Sequence, residues 1–199
     1  MPVTPRRLAQ RLCRCRAGAS QGALVILFAS FALLACSPTF NWRETPLGAD
    51  GLVALLPCKP DRATRELPMG ADPVRVEMVG CEAGGATFAV AHAQAADAAQ
   101  AEAWLRAWRA AWRAQLDGAV IVGESAAHVP RAALSPSAVR LDAPPPGTAG
   151  GRVDAGTGAH VLWFAQARGG KMALYQATVI GEPSASDALA TFFDGLRLP

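Results

Sequence analysis

Hydrophobic residues follow two repeating patterns along this chain of 199 residues, one typical of strands and one typical of a helix. Residues 74–79 alternate between apolar and polar, which predicts a half-buried strand with residues 86–93 as its hairpin partner. Residues 51–57 form an apolar run that ends at prolines, and we expect them to be the first strand. Residues 62–72 are polar and rich in turn-forming residues, which predicts a connection.

Residues 97–116 carry the clearest helical pattern. Alanine is dense in this segment and favours helix formation. At about 100° per residue, its large apolar side chains fall within one third of the circumference and its arginines fall on the other side. These two sets are Trp104, Leu105, Trp108, Trp112 and Leu116, against Arg106, Arg109 and Arg113. We expect the apolar side to pack on the sheet, with a partner or membrane face as the alternative. We expect the arginine side to be solvated, or else to touch lipid phosphates.

The strongest hairpin pattern joins residues 159–168 to residues 171–180 through Gly169-Gly170, a two-residue loop that tolerates positive φ. Its register places Phe164 opposite Tyr175, and Leu162 opposite Ala177. Trp163 and Leu174 would lie on the other face of the sheet. Both faces of this hairpin are therefore expected to be covered.

The other segments complete an α+β pattern. The pattern over residues 120–125 predicts a strand. Residues 131–158 are predicted to form a loop, in which residues 138–141 and 152–153 pair with the sheet. Residues 184–193 predict a short helix capped by Ser184 or Ser186. The order of elements predicts a mostly antiparallel β-sheet packed by one long and one short helix.

The N-terminal segment differs from the rest of the chain. Its first 22 residues contain five arginines and no acidic residue, and an apolar run of about a dozen residues follows from Ala23. This is the layout of a secretory signal, and the run is short for a membrane span, which takes about 20 residues. An uncleaved transmembrane anchor is the alternative.

The apolar run ends in Leu33-Leu34-Ala35-Cys36, which resembles the lipobox of bacterial lipoproteins. The resemblance implies cleavage before Cys36 and acylation of Cys36 on its sulfur and its new amine. Several acyl chains would hold the protein firmly on a membrane, since each buried methylene adds about 0.8 kcal/mol. Ser37 resembles the outer-membrane sorting signal. We therefore predict a signal peptide over residues 1–35, a lipidated tether over residues 36–50 and a single α+β domain over residues 51–199.

Cleavage would change the charge of the chain. Removing 35 of the 199 residues leaves 164, and because five of the 19 basic residues leave with them, 14 basic residues face 16 acidic ones. The net charge becomes −2, and no basic block with interleaved aromatics remains. Nucleic-acid binding therefore has little support.

The five cysteines fall into three groups. Cys13 and Cys15 belong to the signal, and Cys36 is the lipid site. Cys58 and Cys81 remain as one pair in an oxidising compartment, which favours a disulfide. Two free thiols or a metal pair are the alternatives, but no histidine lies close to either cysteine in sequence.

Short motifs at both ends of the predicted domain carry a second resemblance. Residues 51–57 with Pro60 resemble the Gly-Phe-x-Val-x-Leu-Pro-x-x-Pro start of many small secreted bacterial domains, and residues 192–198 resemble their Phe-x-x-Ser-Phe-Arg-Leu ending, with Gly195 in place of serine. Those domains are similar to the PsbP-like α/β/α sandwich of a photosystem II extrinsic subunit. Residues 40–44 also resemble uncharacterised proteobacterial lipoproteins. The fold implies binding or assembly more often than catalysis, and it provides no catalytic residue to transfer.

Candidate chemistry in the domain is sparse. His92, His128 and His160 are widely spaced, and we expect His92 and His160 to be hydrogen-bonded strand residues. Residues 123–127 begin like a nucleophile elbow but lack its second glycine. Residues 154–158 could hold an anion, but no strand-to-helix context follows them, and we expect a plain loop. Glu77 and Glu82 are the one candidate carboxylate pair, and the sequence gives no sign that they are buried. None of these patterns supports a catalytic, cofactor or metal site.

These patterns favour a periplasmic lipoprotein that is anchored through Cys36 and serves as a non-catalytic binding or assembly module of the cell envelope. Its partners would be the membrane and an envelope protein. One alternative is a carrier that holds a lipid or another apolar ligand between the sheet and a helix. The other is an envelope hydrolase that uses His92, His128 or His160.

Overall fold

The computed structural model describes residues 38–70, 72–115, 123–143 and 158–199. Within these ranges the fold is α+β, with a mostly antiparallel sheet and two helices, as the sequence predicts. The strands are β1 (Arg43–Leu47), β2 (Leu52–Leu56), β3 (Asp61–Pro68), β4 (Pro73–Ala83), β5 (Ala86–Ala95), β6 (Gly123–Ala126), β7 (Val139–Ala143), β8 (Ala159–Arg168) and β9 (Lys171–Ile180). The helices are α1 (Ala98–Gln115) and α2 (Ala188–Asp194).

Seven of these strands form one sheet in the order β3-β4-β5-β9-β8-β7-β6, and β1 pairs with β2 in a separate hairpin. Every neighbouring pair in the large sheet is antiparallel. The two long hairpins, β4–β5 and β8–β9, meet where β5 pairs with β9. The predicted strands therefore exist, and their pairing places the second half of the chain beside the first.

The β8–β9 hairpin has the predicted register. Phe164 pairs with Tyr175, and Leu162 pairs with Ala177. Its loop glycines, Gly169 and Gly170, have φ values of 56° and 78°, which L-residues with a Cβ rarely adopt. The two-residue loop therefore fixes which side chains of the hairpin share a face.

Each face of the large sheet is covered by its own hydrophobic core. On one face, Leu105 and Trp108 of α1 pack with Trp163 and Leu174 of the sheet. The other face carries the β1–β2 hairpin, α2 and the end of the described chain, with a core that includes Leu52, Phe88, Tyr175 and Phe192. The described part of the apolar side of α1 thus packs on the core, as expected, and Leu116 lies outside the described residues.

Two strands lie where the sequence predicted none. β1 falls within residues 36–50, which were predicted to be a tether, and β3 falls within the predicted connection. β3 is an edge strand with seven of its eight residues exposed, so it has no buried face to produce an alternating pattern. The prediction of a connection over residues 62–72 was therefore wrong, because periodicity reports burial and not hydrogen bonding.

The predicted cap of the short helix was also wrong. α2 begins at Ala188 after Asp187, which makes no side-chain capping bond. The backbone N–H of Ser184 instead donates to Gly84 O at 2.8 Å, so Ser184 belongs to the preceding connection. Phe192 and Phe193 of α2 are buried, while Leu189 is half-buried.

Several predictions fall at the edges of the described ranges. β6 and β7 lie at the predicted positions, whereas residues 120–122 and 152–153 lie outside the described residues. β7 pairs with β8 and β6 pairs with β7. The pairing expected near residues 138–141 is therefore confirmed.

Candidate functional site

The predicted lipid site, Cys36, lies outside the described residues, which begin at Pro38. In the part of the chain that the structure describes, no helix is both long and apolar enough to cross a membrane. The rings of Phe40 and Trp42 stack with centroids 6.0 Å apart, and each meets Phe88 edge-on. The chain is therefore packed on the domain from residue 40 onward.

Cys58 and Cys81 form a disulfide, with their Cα atoms 6.0 Å apart. Cys58 follows β2, and Cys81 lies in β4 of the large sheet. The bond therefore links the β1–β2 hairpin to the sheet that it covers. A crosslink over this separation of 23 residues stabilises by about 3 kcal/mol through restriction of the unfolded chain.

Among the ion pairs of the described residues, the most buried joins His92 to Asp50. His92 Nε2 lies 2.9 Å from Asp50 Oδ2, and the two side chains are 8% and 11% exposed. Asp50 belongs to the β1–β2 turn, in which Gly48 has a φ of 69°. A Cβ on Gly48 would lie 2.7 Å from His92 Nδ1, so only glycine fits against this ring. One ring nitrogen of His92 is thus bonded and the other is covered by the turn.

Tyr175 lies beneath this pair. Its ring centroid is 5.2 Å from that of His92 and 5.1 Å from that of Phe164. Its hydroxyl is buried and has no hydrogen-bond partner among the described residues. Burial, and then the charge of Asp50, raise the pKa of Tyr175 well above its ordinary value. Tyr175 therefore stays neutral at physiological pH.

A cleft of about 660 Å³ opens beside the Asp50–His92 pair. Turn residues, the start of β4 and the side of α1 near Trp104 line it. Its described lining contains no Ser, Thr, Cys or Lys that could act as a nucleophile. His92 Nε2 is bonded to a buried carboxylate and Nδ1 faces the turn at Gly48, so the geometry gives His92 a structural role, in which it holds the β1–β2 turn on the sheet. The expected hydrogen-bonded histidine is confirmed.

A second cleft, of about 610 Å³, lies between the β6–β7 connection and the end of the described chain. Its charged and titratable lining residues are His128, Arg131, Arg140, Arg197 and Asp194. Its apolar lining consists of Ala127, Val129, Pro130, Leu162, Phe193, Leu196 and Leu198. The lining therefore combines three cations and one carboxylate with an apolar floor.

Asp142 links one of these arginines to the third histidine. Arg140 Nε donates to Asp142 at 3.1 and 3.0 Å, and His160 Nδ1 lies 2.6 Å from the same carboxylate. The Arg140 guanidinium also lies 4.5 Å from the ring centroid of Phe193, within cation–π distance. His160 is therefore the hydrogen-bonded strand residue that we expected, and Arg140 is held in place from two sides.

The arginines of α1 bind a carboxylate of the sheet. Arg109 Nη2 donates to Glu124 Oε2 at 2.8 Å, and Arg113 pairs with the same oxygen. Burial acts to raise the pKa of Glu124, but the hydrogen bonds and charges of Arg109 and then Arg113 outweigh it, and the pKa falls below its ordinary value of 4.5. Two of the three arginines are thus not the purely solvated face that we predicted.

The remaining candidate motifs form no site. Glu77 and Glu82 lie in one strand, five residues apart, so they point to opposite faces at roughly 16 Å separation. The elbow-like sequence begins within β6, where its second residue, Glu124, pairs with arginines instead of preceding a catalytic turn. Residues 154–157 lie outside the described residues.

Sequence reasoning did not identify Asp50 and Arg131 as site residues. Asp50 is separated from His92 by 42 residues, and Arg131 from Leu198 by 67, so no local pattern joins them. A scan against protein-family models and a search of curated proteins both found no match to this chain. Candidate sites in the domain therefore depend on its own geometry.

Proposed function

We propose that this protein is a lipoprotein of the bacterial cell envelope, anchored through Cys36 and facing the periplasm, with a domain that binds a partner or ligand without catalysis. Ser37 favours the outer membrane as the site of anchoring. The observation that carries the proposal is the lipobox-like Leu33-Leu34-Ala35-Cys36 after a basic and apolar leader.

The disulfide supports the same compartment. Once the leader and Cys36 are assigned, Cys58 and Cys81 are the only cysteines left in the sequence, and they are bonded to each other. Structural disulfides persist in oxidising compartments such as the periplasm and are rare in the cytosol. The pairing is thus consistent with a domain that folds outside the cytoplasm.

The start of the packed domain would keep it close to the bilayer. Four peptide steps separate Cys36 from Phe40, which is roughly 14 Å even when fully extended. Phe40 is fixed against Phe88, beside the turn at Gly84. We therefore propose that the surface around Phe40 and this turn faces the membrane.

We further propose that the domain is a PsbP-like α/β/α sandwich, and the layers on both faces of the sheet support this. α1 packs on one face, while α2 and the β1–β2 hairpin pack on the other. Such layering suits an α/β/α sandwich, with binding left to clefts at the ends and edges of the sheet. A fold by itself does not define an activity, so the proposed binding function depends on the residues that line those clefts.

Acyl labelling tests the anchor. The full chain is produced in a Gram-negative host fed an alkyne analogue of palmitate, and label on the protein is measured after electrophoresis. We expect strong labelling of the wild type and none of Cys36→Ser. An inhibitor of the lipoprotein signal peptidase should cause the longer precursor to accumulate.

Cys58→Ser with Cys81→Ser is the matched control for loss of a cysteine. This double variant keeps the lipobox, so its labelling per molecule should equal that of the wild type. Label that persists in Cys36→Ser, or a wild type without label, would refute the proposed anchor.

A further inference from the structure

The second cleft is lined by Arg131, Arg140 and Arg197 above an apolar floor. Hydrogen bonds within the described protein use only some of the N–H donors of these arginines. Arg131 donates through Nη1 to the carbonyl of Leu198 at 3.0 Å. Arg197 pairs through Nη2 with Glu44 at 2.5 Å, and Arg140 uses Nε for Asp142. Each guanidinium has five N–H donors. Most of these donors remain open to a ligand within the described surroundings.

Among the described residues, Arg131 is the arginine of this cleft that forms no direct ion pair, although the carboxylate of Asp194 also lines the cleft. Asp142 and Glu44 balance Arg140 and Arg197, whereas the partner of Arg131 among the described residues is a neutral carbonyl. A guanidinium binds carboxylates and phosphates through two parallel N–H donors, which makes it the preferred protein group for these anions. An anion in the cleft would supply the charge that Arg131 lacks.

The backbone conformation of Arg131 is a second sign of a binding site at this residue. Its φ is 65°, and it is the one residue other than glycine with a positive φ in the described ranges. A side chain in this region is strained, and such strain concentrates where ligands bind. Arg131 adopts a backbone conformation that glycine would adopt more easily, and its guanidinium lies at the rim of the cleft.

The floor of the cleft selects for more than charge. Leu162, Phe193 and Leu198 are at least nine-tenths buried by the protein, yet they line the cleft. The volume of about 610 Å³ lies in the range of small-molecule sites. We infer that this cleft binds a small organic anion, a carboxylate or phosphate monoester carried on an apolar body, with Arg131 as the principal contact to the anionic head.

This inference rests on the proposed binding role but not on acylation of Cys36. The test uses the full chain in nanodiscs of neutral phosphatidylcholine, titrated by calorimetry with hexyl phosphate. Hexanoate replaces the phosphate head by a carboxylate, inorganic phosphate supplies the head alone and hexanol supplies the body alone. We expect hexyl phosphate and hexanoate to bind at least about tenfold more tightly than either half-ligand, since charge-assisted contacts and apolar burial act together.

Arg131→Gly removes the guanidinium and suits the positive φ, so it should keep the fold and weaken hexyl phosphate binding at least about tenfold. Arg106→Ala is the matched control, because the Arg106 side chain is exposed on the outer side of α1 and pairs with Glu102. It should leave the affinity within about twofold of the wild type. Thermal unfolding checks that each variant folds, and Arg197→Gln, expected to weaken binding about threefold, serves if Arg131→Gly does not fold.

Equal affinity in wild type and Arg131→Gly, or equal affinity for inorganic phosphate and hexyl phosphate, would overturn the inference. The titration is repeated with Cys36→Ser, for which we expect unchanged affinity. Failure of the anchor then appears in acyl labelling alone, and failure of the cleft appears in the titration alone.

Discussion

The two clefts of the domain use their polar groups in opposite ways. In the first, His92 and Asp50 bond to each other, and the β1–β2 turn covers the second ring nitrogen. In the second, Arg131 contacts only a neutral carbonyl among the described residues, and its other donors stay open. The first arrangement stabilises the fold, while the second is prepared for a ligand.

The comparison shows that a histidine–aspartate pair is not by itself a sign of catalysis. A general base needs a nitrogen that reaches its substrate, and here Nε2 is bonded to Asp50 while Nδ1 faces the β1–β2 turn. Unused donors on a held side chain are the stronger indication of a site. Substitutions in the two clefts should therefore separate stability from binding.

The largest expected effect comes from His92→Leu. This change leaves the Asp50 carboxylate buried without its main partner, so we expect the free energy of unfolding to fall by about 3 kcal/mol. Urea denaturation followed by circular dichroism measures it. His128→Leu is the control, because His128 is exposed, and it should change stability by less than about 0.5 kcal/mol. Similar small losses of unfolding free energy in both variants would contradict the structural role of His92.

Tyr175→Phe should act in the opposite direction. The hydroxyl is buried without a partner among the described residues, so its removal should raise the free energy of unfolding by about 1.5 kcal/mol. The same urea experiment measures this gain. A loss of stability would contradict this expectation and would mean that the Tyr175 hydroxyl makes a stabilising hydrogen bond.

Glu124→Gln should lower stability by roughly 1 kcal/mol near neutral pH, because it removes the charge that Arg109 and Arg113 bind. The folded-state pKa of Glu124 lies below its ordinary value of 4.5, so its contribution is fully present above that pH and is lost as the pH falls through the folded-state pKa. Unfolding curves between pH 3 and 7, roughly the range over which a carboxylate titrates, measure the difference from wild type.

Glu102→Gln is the control for that variant, since its partner Arg106 is exposed and the pair contributes less than about 0.5 kcal/mol. A Glu124→Gln difference that did not shrink at low pH would argue against the charge as its cause.

The smallest expected change in stability belongs to Arg131→Gly. Relief of the strained φ and the greater entropy of glycine in the unfolded chain offset each other, so the free energy of unfolding should change by less than about 0.5 kcal/mol. Thermal denaturation measures it. A loss of unfolding free energy as large as that of His92→Leu would mean that Arg131 stabilises the fold, and it would contradict the difference between the two clefts.

Sequence patterns predicted the elements that bury one face or both. The β8–β9 register followed from alternation around Gly169-Gly170, and α1 followed from its tryptophan stripe. β1 and β3 were missed because strands at an edge, or in a short hairpin with a proline, need little apolar alternation. Pattern reasoning detects burial, and it does not detect pairing that leaves side chains in solvent.

The candidate sites were beyond sequence reasoning for another physical reason. The Asp50–His92 pair and the Arg131 cleft are assembled from turns and strands that lie far apart in the chain. The disulfide was predictable because the predicted leader and lipid site leave one pair of cysteines in the sequence. Contacts between distant residues become visible once the topology is fixed.

Intact mass of the protein isolated from the membranes of a Gram-negative host tests the central claim most directly. The account predicts the mass of residues 36–199 with a diacylglyceryl group and an amide-linked acyl chain on Cys36, and with two hydrogens fewer for the Cys58–Cys81 bond. A mass equal to the unmodified chain of 199 residues, with its thiols free, would contradict it.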